Sequence, residues 1–311
     1  MLVHIDTNEK DDFTLDELVH WLKENRIDTS SHQDMLKAAP ALKRLANNRS
    51  FLADLAVSEI KDVCTSDPHI YHYSAQVMLL HLPDNQQDNF YIRANFWPSV
   101  KDQPLVAAGP GPFFYNRPHD HNFNFLTVGY YGPGYWSNYY EYDHERVTGY
   151  PGEHVPDLVF TEKRALTEGH VMLYRASQDV HEQLPADSMS ISLNILENTP
   201  RVRLTDQYSF DLERNAIRQI INISLAPAVF NMALHLGGED GRDALSEIIR
   251  LSPDPFIRFN AYKALASECR EPAKYCEALA SALSDKSSMV TRWADRHIAD
   301  VQRGMNEGST G

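Results

Sequence analysis

The hydrophobic period of this chain switches twice, and that limits the folds open to it. Residues 13 to about 65 follow helical spacing. Thr14 with Glu17 three residues on forms a capping-box pattern, and Leu15, Leu18, Val19 and Leu22 follow on one face. Leu42, Leu45 and Ala46 continue the pattern after Pro40, and Phe51, Leu52, Leu55, Ala56 and Ile60 lead to Cys64. Asp67-Pro68 ends the helical part. From Tyr71 the period becomes two. Strands are expected at 70–82, 89–97, 122–131, 135–142, 158–165, 170–175 and 188–196. The turns between them fall at Pro83-Asp84-Asn85, Gly109-Pro110-Gly111-Pro112, Gly132-Pro133-Gly134 and Pro151-Gly152. Many short strands with such punctuation give a sandwich or barrel. After Pro200 the chain reads as helical again.

The expected class is therefore α+β. A helical segment (1–66) precedes a barrel (67–205), which is followed by a helical domain (206–305) and a flexible tail (306–311). Two stretches of the third part look alike, Ser252–Ala261 and Ser284–Ala294. In each, a capping cluster leads to an apolar residue, an arginine, an aromatic residue and an alanine. Arg258 and Arg292 lie 34 positions apart, a helical-repeat period. The pattern resembles HEAT-type repeats, which implies a surface for a homodimer contact or a protein partner.

Composition excludes several classes. A net charge of −14 offers no positive face for nucleic acid. No apolar run approaches the length of a membrane helix, and Met1–Asp6 has no signal-peptide pattern. Cys64, Cys269 and Cys276 are odd in number and fit no zinc spacing, so they read as reduced thiols in a cytoplasmic protein.

The chemistry concentrates in Arg117-Pro118-His119-Asp120-His121-Asn122-Phe123-Asn124-Phe125 and Asp179-Val180-His181. Histidines two apart on an extended segment point to the same side. A third histidine from another strand closes a set of three neutral imidazole ligands. His170, His144 and His154 compete with His181 for that third place, and Glu141 is a candidate fourth ligand. Asp120, Asn194 and Gln183 are candidates to fix the imidazole tautomers.

His119-x-His121, with Phe125 four residues later and Gly132 beyond, resembles the first signature of the cupin family. Phe125, or Leu126 under a longer spacing, stands at the signature's Glu position. The second signature is matched in part by Gly169, Arg175-Ala176-Ser177 and His181, with the histidine one position late. The three-histidine variant, together with Tyr91-Ile92-Arg93 on an earlier strand, resembles the thiol dioxygenases, of which cysteine dioxygenase is the best-known branch. That resemblance implies a cupin-like β-barrel (a double-stranded β-helix) and Fe(II), or another divalent metal, on His119, His121 and His181. It also implies O₂ as co-substrate, with Arg93 and Tyr91 as catalytic residues and Arg93 gripping a substrate carboxylate. The branch's Ser-His-Tyr on the last strand is replaced by Ser192, Asn194 and Leu196, which directs the expectation away from cysteine. The expected substrate is another small amino-acid-like or carboxylate molecule. Two alternatives stay open: a redox-silent metal cupin acting as isomerase, lyase or hydrolase, and a small-ligand sensor whose helical part docks a partner.

Overall fold

A computed structural model describes residues 2–65, 74–83, 88–222 and 224–308. The expected break at Asp67-Pro68, the turn residues Asp84-Asn85, the start of the first expected strand at 70–73 and the last three residues lie outside the described residues. The chain forms two compact units. The first holds Met1–Tyr142, Asp157–Thr199 and Ser209–Glu213; the second holds Asp143–Pro156, Pro200–Tyr208 and Arg214–Gly311.

The first unit opens with strand β1 (Val3–Ile5) and helices α1 (Leu15–Glu24), α2 (His32–Asn47) and α3 (Phe51–Thr65). The capping box forms as expected: Glu17 N–H donates to Thr14 Oγ1 at 3.2 Å, and Thr14 N–H donates to Glu17 Oε2 at 2.7 Å. Helix α2 starts eight residues before Pro40 and runs through it. A proline there removes one helical hydrogen bond. The loss is tolerable because Pro40 and Leu36 lie on the solvent side, while Met35, Ala38, Leu42 and Leu45 are buried.

Two antiparallel sheets follow. The larger runs β1-β7-β4-β9-β3-β2, built from β2 (Val77–His81), β3 (Phe90–Trp97), β4 (Phe125–Tyr131), β7 (Val171–Tyr174) and β9 (Ser190–Glu197) beside β1. The smaller runs β6-β5-β8, built from β5 (Trp136–Glu141), β6 (Val159–Ala165) and β8 (Asp179–Leu184). The segment around His119 extends it, because His119 pairs with His181 of β8. Along the chain, β3 lies in the large sheet, the His119 segment in the small, β4 in the large, β5 and β6 in the small, β7 in the large, β8 in the small and β9 in the large. This alternation is the double-sheet jelly roll, the architecture used by cupins as well as by capsid and lectin domains. The expected barrel is therefore present as a fold.

Residue alternation sorts the large sheet into two faces. Phe90, Ile92, Ala94, Leu126, Val128, Val171, Leu173, Leu193 and Ile195 form one core with the three helices. The intervening residues, Tyr91, Trp97, Phe125, Met172, Tyr174 and Leu196, form a second core inside the roll. At Gly132, in the turn after β4, φ is +82° and a Cβ would stand 2.5 Å from the Met189 carbonyl oxygen, so only glycine fits.

The stretch after Pro200 departs from the helical expectation. A short helix, α5 (Pro200–Leu204), gives way to β10 (Gln207–Asp211) and β11 (Ala216–Asn222), which pair as a two-stranded sheet. Counting the six-residue helix Gln103–Ala108 as α4, the second unit contains α6 (Ala226–Leu251), α7 (Pro255–Ala266), α8 (Pro272–Leu279) and α9 (Ser288–Gly308). Phe256, Phe259, Leu279, Val290 and Trp293 form its main core. Arg258 lies at its centre, 1% exposed, and every nitrogen is engaged. Nε and Nη2 donate to the two Asp285 carboxylate oxygens at 3.1 and 2.9 Å, and Nη1 donates to the Ser252 and Pro253 carbonyls at 2.8 and 3.1 Å. Arg292 does something different: it donates to the Glu145 carbonyl at 2.9 Å. The loop at Asp143–Pro156 closes around the buried Glu153, which accepts from the Thr148, Gly149 and Tyr150 amides and from Arg296.

Candidate metal centre

The pairing of the His119 segment with β8 builds the site. His119 N–H donates to the His181 carbonyl at 3.0 Å, and His181 N–H returns the bond at 2.9 Å. On its other side the segment is held by Phe210 N–H, which donates to the Pro118 carbonyl at 3.0 Å. His121 follows two residues on, and its carbonyl accepts from Ser177 N–H at 2.7 Å. These backbone bonds direct all three imidazoles into the roll. His119, His121 and His181 are all buried, with exposures of 2, 9 and 1%.

One ring nitrogen from each of the three lies within 4.8 Å of the other two. His181 Nε2 is the hub, 3.0 Å from His121 Nε2 and 3.3 Å from His119 Nε2. These separations are those of ligands sharing one ion. With metal–nitrogen bonds of about 2.0–2.1 Å, two ligands stand roughly 2.9 Å apart at a right angle and roughly 3.3 Å apart at the tetrahedral angle. His119 Nδ1–H donates to the Arg117 carbonyl at 2.7 Å, which fixes the tautomer and leaves Nε2 bare. Burial keeps the rings neutral. It lowers the His119 pKa to about 4 and those of His121 and His181 well below 6.5, and the Arg93 charge pushes all three the same way. Three buried, neutral imidazoles with converging lone pairs fit a divalent transition metal. The ion would keep its full charge and retain open positions, because Phe125 packs edge-on against His121 with ring centroids 4.8 Å apart and brings no carboxylate.

Arg93 lies on β3 in register with Asn194 of β9, and Asn194 is in register with Thr127 of β4. Strand alternation turns all three toward the interior of the roll. Arg93 Nε and Thr127 Oγ1 are buried with no hydrogen-bond partner. Tyr91, two residues before Arg93 on the same face, packs against the interior core. Next to His181 lies a tyrosine cluster. Tyr174 and Tyr139 share a hydrogen bond of 3.0 Å, and the Tyr174 ring stacks on Phe125 at 4.2 Å. Burial raises the Tyr139 pKa to about 12, so its hydroxyl keeps its proton.

The competing candidates are placed elsewhere. His170 Nε2 lies 2.9 Å from His4 Nδ1, while His144 stacks near Tyr208 and His154 pairs with Ala216, both in the second unit. Glu141 pairs with Arg175 at 2.9 Å. Of the groups expected to orient imidazoles, Asp120 accepts from Tyr142 Oη at 2.7 Å, and Asn194 Nδ2 lies 3.4 Å from Asn95 Oδ1. Gln183 does reach the site: its Nε2 is 2.9 Å from His181 Nε2 and 3.4 Å from Nδ1. Sequence reasoning did not place the tyrosine cluster at the site. Tyr139 reads as strand packing, and its proximity to His181 depends on pairing between β5 and β8, which are distant in sequence.

No family model matches the chain, and no curated protein matches it. Among solved structures it is similar to a salicylate 1,2-dioxygenase from Pseudaminobacter salicylatoxidans, at 6% identity over 47% of this chain and 33% of that one, TM-score 0.25. It is also similar to the DMSP lyase DddQ from Ruegeria pomeroyi, at 8% identity over 64% of this chain and 79% of that one, TM-score 0.26. A third is procruciferin, an 11S globulin from Brassica napus, at 10% identity over 57% of this chain and 37% of that one, TM-score 0.27. The chain spans about a third of the length of the salicylate dioxygenase. Likeness at these scores carries no argument, so the fold rests on the strand order and the site on its own geometry.

Proposed function

We propose that this chain is a cupin-type mononuclear non-haem iron oxygenase acting on a small carboxylate or amino-acid-like molecule. The observation that carries the reading is the convergence of three buried, neutral imidazole nitrogens around His181 Nε2 at separations suited to one ion. His119, His121 and His181 hold Fe(II) on this reading, and the same ligand set accepts other divalent metals. Bound there, iron supplies the redox chemistry toward O₂ that no side chain provides. The chain's own residues do the rest. Arg117 holds the His119 tautomer through its carbonyl. Arg93 turns a guanidinium with an unpartnered Nε–H toward the interior, ready for a carboxylate. Tyr91 lines the same wall, and the aromatic residues around Phe125 and Tyr174 keep water from the reacting groups.

The helical unit, with its HEAT-like sequence pattern, serves on this reading as a surface for a second copy or a protein partner. The acidic balance of the chain favours neither nucleic acid nor an anionic membrane.

The test is oxygen uptake by the Fe(II)-reconstituted protein over a panel of small amino, thiol and hydroxy carboxylates. One or more should stimulate uptake, and His119→Ala should abolish both the uptake and the bound iron. Iron retained by His119→Ala overturns the ligand assignment. Tight metal binding with no uptake over the whole panel favours the redox-silent isomerase or lyase reading.

A further inference from the structure

Thr127 puts a hydroxyl where packing asks only for a methyl. It lies on β4, between β7 and β9 in the large sheet, two residues after Phe125 and so on the same inward face. It is 0% exposed, and its Oγ1 has no hydrogen-bond partner among the described residues. Leu126 and Val128, on either side of it, face the other way and belong to the core against the helices. Valine has the same shape and would fill the position without stranding a polar atom. Packing therefore does not account for the hydroxyl.

The neighbouring rows show what it faces. Thr127 is in register with Asn194 of β9, and Asn194 with Arg93 of β3, so three polar side chains cross three adjacent strands at one level. On one side of this row, Tyr91, Leu196 and Phe125 are in register and pack in the interior core. On the other side, Asn95, Ser192 and Gly129 are in register. There Ser192 Oγ accepts from Trp97 Nε1 at 3.0 Å, and Asn95 Oδ1 accepts from Asn194 Nδ2 at 3.4 Å. Of the three rows, the middle one alone keeps buried unmet atoms among the described residues: Arg93 Nε at one end and Thr127 Oγ1 at the other. The row borders the histidines, because Phe125, one inward step along β4, packs against His121 with ring centroids 4.8 Å apart. Adjacent strands stand about 4.8 Å apart, so the Arg93 and Thr127 backbones are separated by about 10 Å. The arginine side chain covers part of that span, and a molecule of a few carbons covers the rest.

We infer that Thr127 is a specificity-determining residue that binds a hydroxyl of the substrate, one carried in addition to the carboxylate and to the group that meets the ion. The substrate class is then a small hydroxylated carboxylate, held by Arg93 at the acid and by Thr127 at the hydroxyl. The inference rests on the reading of Arg93 as the carboxylate anchor beside the three histidines. The threonine hydroxyl is uncharged and both donates and accepts, which suits another hydroxyl. A site built to bond a substrate hydroxyl rejects the analogue that lacks it, because the protein group is then left buried and unpaired. The unmet Thr127 Oγ1 is such a group.

The test is calorimetry on the zinc-loaded full chain with pairs of acids that differ by one hydroxyl: lactate and glycerate, alanine and serine, aminobutyrate and homoserine. The variants are Thr127→Val and Thr127→Ser, with Arg93→Met as control. In at least one pair, the hydroxylated member should bind the native chain about tenfold or more tightly than the plain acid. Thr127→Val should bring the two members to equal affinity without changing that of the plain acid. Thr127→Ser, which keeps the hydroxyl, should keep the preference. The thermal midpoint of Thr127→Val, expected at or above the native value, reports that the fold is retained. A preference that survives Thr127→Val overturns the inference, and so does the lack of a preference in every pair. Arg93→Met should weaken both members of a pair alike, and that result leaves the anchor standing whatever Thr127→Val does. Native-level binding of both members by Arg93→Met removes the anchor on which the inference rests, and failure of every acid to bind the native chain removes both.

Discussion

The two units each enclose an arginine, Arg258 fully buried and Arg93 half-buried with its Nε inside, and they treat it in opposite ways. In the helical unit, Arg258 meets a bidentate carboxylate and two carbonyls, with no nitrogen left over. In the jelly roll, Arg93 keeps a buried Nε–H with no partner, on the same face as the equally unpartnered Thr127 hydroxyl one strand beyond Asn194, and near three imidazoles whose lone pairs face one another. A buried charge that is fully paired holds a fold together. Buried polar groups left unmet lower stability, and their persistence marks a place where something else supplies the missing contacts. On the proposed reading, the two arginines divide the work: Arg258 holds its unit together and Arg93 awaits a ligand.

The largest effect should come from breaking the paired arginine. Arg258→Ala strands Asp285 and should destabilise the helical unit by roughly 3–5 kcal/mol, read as a shift in its denaturant midpoint. Iron content at the histidines should stay at the native level. A stability change below about 1 kcal/mol would erase the contrast.

Next in size is the response to acid. The buried histidines have lowered pKa values, about 4 for His119, whereas in the unfolded chain they titrate near 6.5. Between those limits the unfolded chain binds more protons, so stability present above about pH 6.5 is lost as the pH falls toward 4. Each such histidine contributes a slope of up to about 1.4 kcal/mol per pH unit. Urea titrations of the metal-free protein should show the slope, and His119→Ala should reduce it. Saturating metal should also oppose the loss, since only neutral imidazole ligates.

Arg93→Met should have the opposite sign to Arg258→Ala. Removing an incompletely paired, half-buried charge should leave thermal stability unchanged or raise it by about 1 kcal/mol, while carboxylate binding, measured by calorimetry on the metal-loaded protein, should be lost. The smallest effect is expected for Thr127→Val, which removes an unpartnered hydroxyl and should fall between neutral and about 1 kcal/mol stabilising.

Much of this organisation was legible in the chain, for reasons that differ by element. The capping box at Thr14 is a local signal and formed as read. The strands β3, β4, β5, β6, β7 and β9 carry aromatic and β-branched alternation between glycine and proline turns, and they too formed where expected. β8 was not expected as a strand, because Asp179-Val180-His181-Glu182-Gln183-Leu184 is mostly polar. Its inward positions His181 and Gln183 are polar, so the residues at the candidate site also hide its hydrophobic pattern. The hairpin after Pro200 was obscured in a similar way: Gln207–Asp211 alternates, but follows a proline and a charged stretch that read as a helix start. The long-range pairings that bring Arg93, Thr127 and the tyrosines around the histidines have no local signal at all.

The account stands on one arrangement, three imidazoles sharing one cation, and X-ray absorption on the zinc-loaded protein addresses it most directly. The expected spectrum shows the multiple-scattering signature of three imidazoles around one zinc per chain, with nitrogen at about 2.0–2.1 Å. A zinc bound through sulfur, or one with no imidazole scattering, would contradict it.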